Sequence, residues 1–226
     1  MYLYLQEILA FYVGCCLASH AGVVSRRLYQ CNFIWARSRC NNCHQNLALT
    51  DELPLFSYFL LKKKCRYCKQ PIPATLPALE LCGGCSFIFC DFAQASGLVT
   101  ALFLFFFLVA SCCDYQQQSY PSLLLLPLFY LAIWRKCLLP NLLTPSSYFS
   151  LIACSLLFLI LIYRQEMGSG DFWLYLAIAL SFSPQVALNC LLIASLSAFL
   201  ILKKQETTTV AFLPFLYFSL LLQLGK

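Results

Sequence analysis

The chain has 226 residues, with 15 Lys and Arg against 9 Asp and Glu and a formal net charge of +6. Hydrophobic residues make up 61%, charged residues 11%, and the mean hydropathy is +0.75. A water-soluble domain is normally about 45–50% apolar and about 25% charged; this composition excludes a soluble globular enzyme, a disordered tail and a fibrous repeat, and leaves a polytopic membrane protein.

The first apolar run, 2–24, is long enough to cross a bilayer, which takes about 20 residues. It has no basic segment ahead of it and carries Glu7. It therefore reads as a retained membrane helix and not as a cleavable signal. From 25 to 77 the chain turns polar and basic, holding nine of the 15 basic residues between Arg26 and Lys69. Residues 78–113 are nearly all apolar and would reach ~54 Å as one helix, against a hydrocarbon core of about 30 Å. A break at 91–97 makes two helices of them, the first over 78–92 and carrying Glu80.

Polar residues 114–120 follow, and further apolar runs cover 122–134, 145–163, 172–183, 185–202 and 210–224. Their connections are marked by Arg135, Lys136, Pro140 and Pro145, by 164–171, by Pro184 and by 203–209. The reading is an all-α polytopic bundle of about eight transmembrane helices. With the 25–77 loop in the cytoplasm, Arg164, Lys203 and Lys204 also face inward, and only Arg135, Lys136 and Lys226 face outward. Lys and Arg favour the cytoplasmic side, so this asymmetry supports that orientation, with both termini outside. The expected organisation is a first helix at 1–24, a cytoplasmic metal-binding loop at 25–77 and a membrane core at 78–226.

Most of the 15 cysteines lie in apolar runs, where cysteine acts as a small hydrophobe. Cys40-Asn-Asn-Cys43 and Cys65-Arg-Tyr-Cys68 are different: they are two Cys-x-x-Cys knuckles spaced as in four-thiolate zinc sites. A closed site of this kind is structural, and it predicts a small zinc ribbon. A cytoplasmic loop disfavours disulfides between these thiols. Arg39, Lys64 and Arg66 stand ready to offset the thiolate charge, and His44 is a spare donor. Cys82-Gly-Gly-Cys85 has the same spacing but sits in an apolar run, where small residues at a helix contact explain it better.

Acidic residues at membrane depth are costly and point to function. Asp51 and Glu52 fall in the polar loop and read as solvated, and Asp91 falls in an outer turn. Glu80, Asp114 and Asp171 fall at the expected inner ends of helices and would share one membrane face. Asp171 closes Gly168-Ser-Gly-Asp171, where glycines allow a sharp turn and close backbone approach. Such a motif at a membrane helix end points to an intramembrane aspartyl protease. Two neighbouring aspartates can activate water, one protonated and one ionised. From spacing alone, a working pair and two unrelated interfacial residues both stay open.

Several segments together resemble the bacterial type IV prepilin (leader) peptidases. They are Phe11-Tyr-Val-Gly14 with Arg26-Arg27-Leu28, Ser38 to Cys43, Leu53-Pro-Leu-Phe-Ser-Tyr58, Lys64 to Cys68 and Pro77-Ala-Leu-Glu80. Asp114 with Pro121 seven residues on, Gly168 to Asp171 and Val210 to Leu216 complete the likeness, which covers nearly the whole chain. Size and cysteine pairs are similar to the members serving competence pseudopili in Gram-positive bacteria.

The resemblance implies cleavage of the basic leader from prepilins or pseudopilins at the cytoplasmic face of the cell membrane. It also implies, for many members, N-methylation of the new N-terminus with S-adenosylmethionine. Asp114 and Asp171 are then the catalytic pair, Cys40, Cys43, Cys65 and Cys68 the structural zinc set, and Glu80 a residue of the methylation half. The implied partners are prepilin-like substrates and the lipid bilayer, with no nucleic acid.

The chain departs from the family pattern at four places. Gly14 is followed by Cys-Cys-Leu-Ala-Ser-His20 where a Gly-Ser-Phe-Leu-Asn run is usual, Gln116 replaces a second acid, Tyr120 replaces Ile, and Leu213 replaces Gly. The competing reading is a membrane transporter or assembly scaffold, which would spread its acids across the membrane depth.

Overall fold

In hydrocarbon every backbone N–H and C=O must be satisfied within its own segment, so long apolar runs fold as helices. The computed structural model describes residues 2–28, 38–139, 145–205 and 210–225. Its helices are α1 (Tyr2–Arg27), α2 (Phe56–Leu60), α3 (Thr75–Ile88), α4 (Ala95–Gln117), α5 (Leu125–Leu138), α6 (Pro145–Tyr163), α7 (Ser169–Ser181), α8 (Pro184–Gln205) and α9 (Leu213–Leu224). Among the described residues there is no strand, only two isolated antiparallel bridges, Arg39 with Asn46 and Lys64 with Pro71. Arg37, Pro140, Lys226 and the 206–209 part of the last polar connection lie outside the described residues.

Each predicted apolar run carries a helix, but several boundaries move. The second long helix begins at Thr75 and ends at Ile88, before the expected 92. Helix α4 runs on to Gln117, so Asp114 lies inside its last turn and not after the helix. Helix α7 begins at Ser169, which puts Asp171 in its first turn. Three helical stretches, Tyr4–Arg27, Ala95–Gln117 and Pro184–Lys203, are long and apolar enough to cross a membrane; Thr75–Ile88, Ser147–Tyr163 and Leu213–Leu224 are apolar but shorter.

The chain divides into two compact units, Met1–Cys90 and Asp91–Lys226. In the first, α1 and α3 pack antiparallel through small residues. A Cβ on Gly83 would run into Ala18 and into the Gly14 carbonyl, and one on Gly84 would lie 2.6 Å from the Phe11 ring and 2.7 Å from Cys15 Sγ. Glycine lets the two backbones approach this closely. The Cys82-Gly-Gly-Cys85 segment is thus a helix contact, as its sequence suggested.

In the second unit a turn precedes α4. The Asp91 carboxylate accepts hydrogen bonds from the Ala93 N–H (3.0 Å) and from Gln94 Nε2 (2.8 Å). Helix α4 packs against α5 and α9, α7 against α5 and α8, and α8 against α9 and α6. The core is aromatic: Phe107 meets Tyr217 edge-on at 5.4 Å, and Phe158 meets Tyr175 at 5.2 Å. Arg135, which the sequence marked only as a connection, joins three helices. Its Nε donates to Thr100 Oγ1 of α4 (2.8 Å), another nitrogen donates to the Ser181 carbonyl of α7, and its guanidinium lies 4.2 Å from the Phe182 ring centre.

Candidate functional site

The first unit holds a four-cysteine cluster. In each knuckle the backbone turns back on itself: Cys40 N–H donates to Gln45 O and Cys65 N–H to Gln70 O, at 3.0 and 2.9 Å. The residue after each second cysteine, His44 and Lys69, takes a left-handed conformation, with φ 57° and 59°. The knuckles are therefore local copies of one turn. They bring Cys40, Cys43, Cys65 and Cys68 together with their sulfurs within 4.8 Å of one another. Cys40 and Cys68 Sγ are 3.9 Å apart. A Zn–S bond of about 2.3 Å in a tetrahedron sets sulfurs about 3.8 Å apart, so the cluster already has the size of a zinc site.

Backbone amides prepare these thiols. The N–H groups of Cys43 and Asn42 pull the Cys40 thiol below its ordinary value, and the Gln70 N–H pulls Cys68 down to about 6. At Cys43 the Gln45 N–H acts the same way, but desolvation and the facing Cys40 and Cys68 push it up to about 11. A cation entering the cluster must therefore displace a proton. His44 is exposed and stands outside the sulfur set.

Two expectations about this loop need correction. Asp51 is not solvated: its side chain is 1% exposed and its Oδ1 accepts from Arg66, at 3.0 Å from Nε and 2.6 Å from the terminal nitrogen. Arg66 is thus occupied by a carboxylate and is not a free counter-charge for the thiolates. Pairing residue 51 with residue 66 depends on how the knuckles fold, which spacing does not reveal.

Glu80 lies in the second turn of α3, and its Oε2 accepts the Leu55 N–H at 2.7 Å. Leu55 has φ 62° and ψ −52°, and Phe56 N–H closes onto Pro54 O at 2.7 Å. This is the strained γ-turn that few non-glycine residues adopt. Glu80 holds it in place.

The second unit holds a cavity of about 480 Å³. Its walls include Asp114, Tyr120, the segment Gly168 to Asp171, and the apolar groups Leu125, Trp173, Val210 and Phe212. Asp114 and Asp171 come from opposite ends of their helices, the last turn of α4 and the first turn of α7, yet both line this one space. Asp114 is 8% exposed, and its Oδ2 accepts the Leu213 N–H at 3.0 Å. A helix N-terminus presents unsatisfied N–H groups that favour a carboxylate. Asp114 thus caps α9 from another helix, which explains why the 210–216 segment belongs to the site. Trp173 stacks edge-on against Phe129 at 6.0 Å and stiffens the apolar wall.

Tyr120 was legible only as a departure from a family pattern. Its hydroxyl donates to the Gly170 carbonyl at 2.8 Å, so it bridges the two aspartate-bearing segments. No local sequence signal announces such a contact across 50 residues.

Comparisons with known proteins identify two family segments in the chain. Residues 12–93 match the bacterial peptidase A24 N-terminal domain, and residues 101–203 match the type IV leader peptidase family. A prepilin leader peptidase/N-methyltransferase of Dickeya chrysanthemi is 30% identical over 193 residues, covering 79% of this chain and 67% of that one. The protein of that name from Klebsiella pneumoniae is 29% identical over 179 residues, covering 74% and 78%. A type 4 prepilin-like proteins leader peptide-processing enzyme of Escherichia coli is 27% identical over 191 residues, covering 79% and 71%. No solved structure matches. The chain belongs to the type IV prepilin leader peptidase family.

Proposed function

We propose that this chain is a membrane aspartyl endopeptidase that removes the basic leader from type IV prepilins or pseudopilins, with Asp114 and Asp171 as its catalytic pair. The observation that carries this reading is that both carboxyls line one partly apolar cavity. Family membership supports the substrate class.

One carboxylate takes a proton from water, and the hydroxide adds to the amide carbon of the scissile bond. The partner carboxyl donates a proton as the bond to nitrogen breaks, and the amine leaves neutral. The oxygen of Asp114 that caps α9 is fixed, which orients the rest of the group. In this reading the eight helices other than α2 all cross the cell membrane, the shorter ones among them included, with the 25–77 loop and the catalytic face in the cytoplasm and both termini outside. Cleavage at the inner face lets a substrate helix stay in the bilayer while its unwound end reaches the cavity.

Zinc held by Cys40, Cys43, Cys65 and Cys68 would organise the 38–72 loop and take no part in peptide cleavage; a closed four-thiolate set leaves no open position. N-methylation with S-adenosylmethionine is the second activity in this reading. Of the residues it would need, Glu80 is the candidate, and one of its oxygens already accepts the Leu55 N–H.

The test uses the purified full chain with a prepilin-like substrate, comparing wild type with Asp114→Asn and Asp171→Asn. Loss of acid–base work predicts a fall in kcat of about 10²- to 10⁴-fold in each folded variant. Cleavage that survives either change overturns the pair. Absence of cleavage by wild type across several substrates would favour the transporter or scaffold reading.

A further inference from the structure

The catalytic pair depends on two segments staying in register: the end of α4 with Asp114, and the first turn of α7 with Asp171. Tyr120 lies only six positions after Asp114, and Gly170 directly precedes Asp171. Between them lies the Tyr120 hydroxyl, which donates to the Gly170 carbonyl at 2.8 Å. The ring also covers the Gly170 backbone. A Cβ built on Gly170 would lie 2.8 Å from the hydroxyl oxygen and 2.9 Å from a ring carbon, with no room to spare. Gly170 does not have a positive φ, so no unusual backbone conformation calls for glycine there; what a side chain at 170 would have to displace is the Tyr120 ring.

We infer that Tyr120 is the positioning residue of this enzyme, a strut that seats its ring on Gly170 and bonds its carbonyl so that Asp171 is held facing Asp114. The inference rests on the aspartyl-pair reading. A phenol has one O–H to donate, and here the Gly170 carbonyl takes it, so Tyr120 positions the pair and does not protonate substrate. A misplacement of about 1 Å can cost about 10²-fold in rate, so one such strut has leverage on kcat. Where the family pattern has Ile, an aliphatic side chain could pack on Gly170 but could not bond its carbonyl; in this chain the bond replaces part of what packing alone would do.

The experiment measures kcat and KM separately for the full chain, alongside backbone amide exchange. Tyr120→Phe keeps the ring and removes the bond; kcat should fall about tenfold with KM within about twofold, since one hydrogen bond is at stake. Gly170→Ala should fall about 100-fold. Adding Tyr120→Ala to Gly170→Ala removes the clash, so the double variant should be no worse than Gly170→Ala alone, a coupling that independent sites do not show. Amides of 172–175, the first that bond within α7, should exchange at least about threefold faster in Tyr120→Phe, with 99–108 unchanged.

Wild-type kcat and unaltered exchange in Tyr120→Phe would overturn the inference, as would losses that multiply in the double variant. These outcomes are distinct from failure of the aspartyl pair. That failure appears as cleavage surviving Asp114→Asn or Asp171→Asn, whereas the exchange measurement needs no substrate at all.

Discussion

At the scale of single residues, the ion pair of the four-cysteine loop is lopsided, and that asymmetry makes a prediction. The Asp51 side chain is 1% exposed while that of Arg66 is 50% exposed. Asp51 Oδ2 is buried with no hydrogen-bond partner among the described residues. Removing Arg66 therefore strands a carboxylate away from water, whereas removing Asp51 leaves a guanidinium that water can reach. Arg66→Met should destabilise the ribbon by about 3 kcal/mol, and Asp51→Asn by about 1 kcal/mol. Thermal unfolding of the zinc-loaded full chain checks the order, and equal losses would refute it. Sequence alone placed Asp51 in solvent because it sits among polar residues. The thiolate set, by contrast, was legible, because knuckle spacing fixes which atoms converge. Asp114 and Asp171 were legible as residue types at helix ends, but Tyr120 and the Leu213 amide were not, since their roles come from contacts across 50 and 99 residues.

At the scale of elements, hydrophobic runs announced helices well and their ends poorly. A helix can extend past its apolar stretch when something satisfies its last carbonyls. Here the Gln118 N–H returns to Asp114 O at 2.7 Å, with Gln118 at φ 52°. That left-handed cap carries α4 through polar Asp114 to Gln117, beyond the point where the apolar pattern stops. The helix contact between α1 and α3 makes the test at this scale. Gly83→Ala places a methyl into Ala18 and the Gly14 carbonyl, and neither is the far end of a flexible side chain. The two helices must separate, at a cost of about 1–3 kcal/mol. Gly168→Ala is the control, because its Cβ would meet nothing nearer than Asp171 Oδ2 at 4.0 Å. It should shift stability by no more than about 0.5 kcal/mol. Melting of both variants in the same detergent decides the matter; similar losses would mean that the α1–α3 contact is looser than its geometry.

At the scale of the whole molecule, the division into Met1–Cys90 and Asp91–Lys226 separates two kinds of chemistry. All four thiolates lie in the first unit and both carboxyls in the second. Composition had already set the membrane class, because 11% charged residues cannot clothe a water-facing surface. What composition could not reveal is that the four-cysteine cluster and the cavity lined by Asp114 and Asp171 are built from different stretches of chain, each closed by its own contacts. A structural zinc contributes folding free energy to the loop it closes. Stripping it should therefore unfold 38–72 and lower the thermal stability of the full chain, seen as faster proteolysis within that stretch. The carboxyls would keep their own supports, the Leu213 amide at Asp114 and the Tyr120 strut at Gly170, neither of which involves the ribbon. Cleavage of a prepilin-like substrate should consequently decline slowly, following the loss of folded protein, and not at the moment of chelation. The measurement is a time course of kcat after chelator, read beside bound zinc and proteolytic pattern. Immediate loss of activity with the ribbon still protected, restored at once by added zinc, would mean instead that the metal takes part in the peptide-cleaving step.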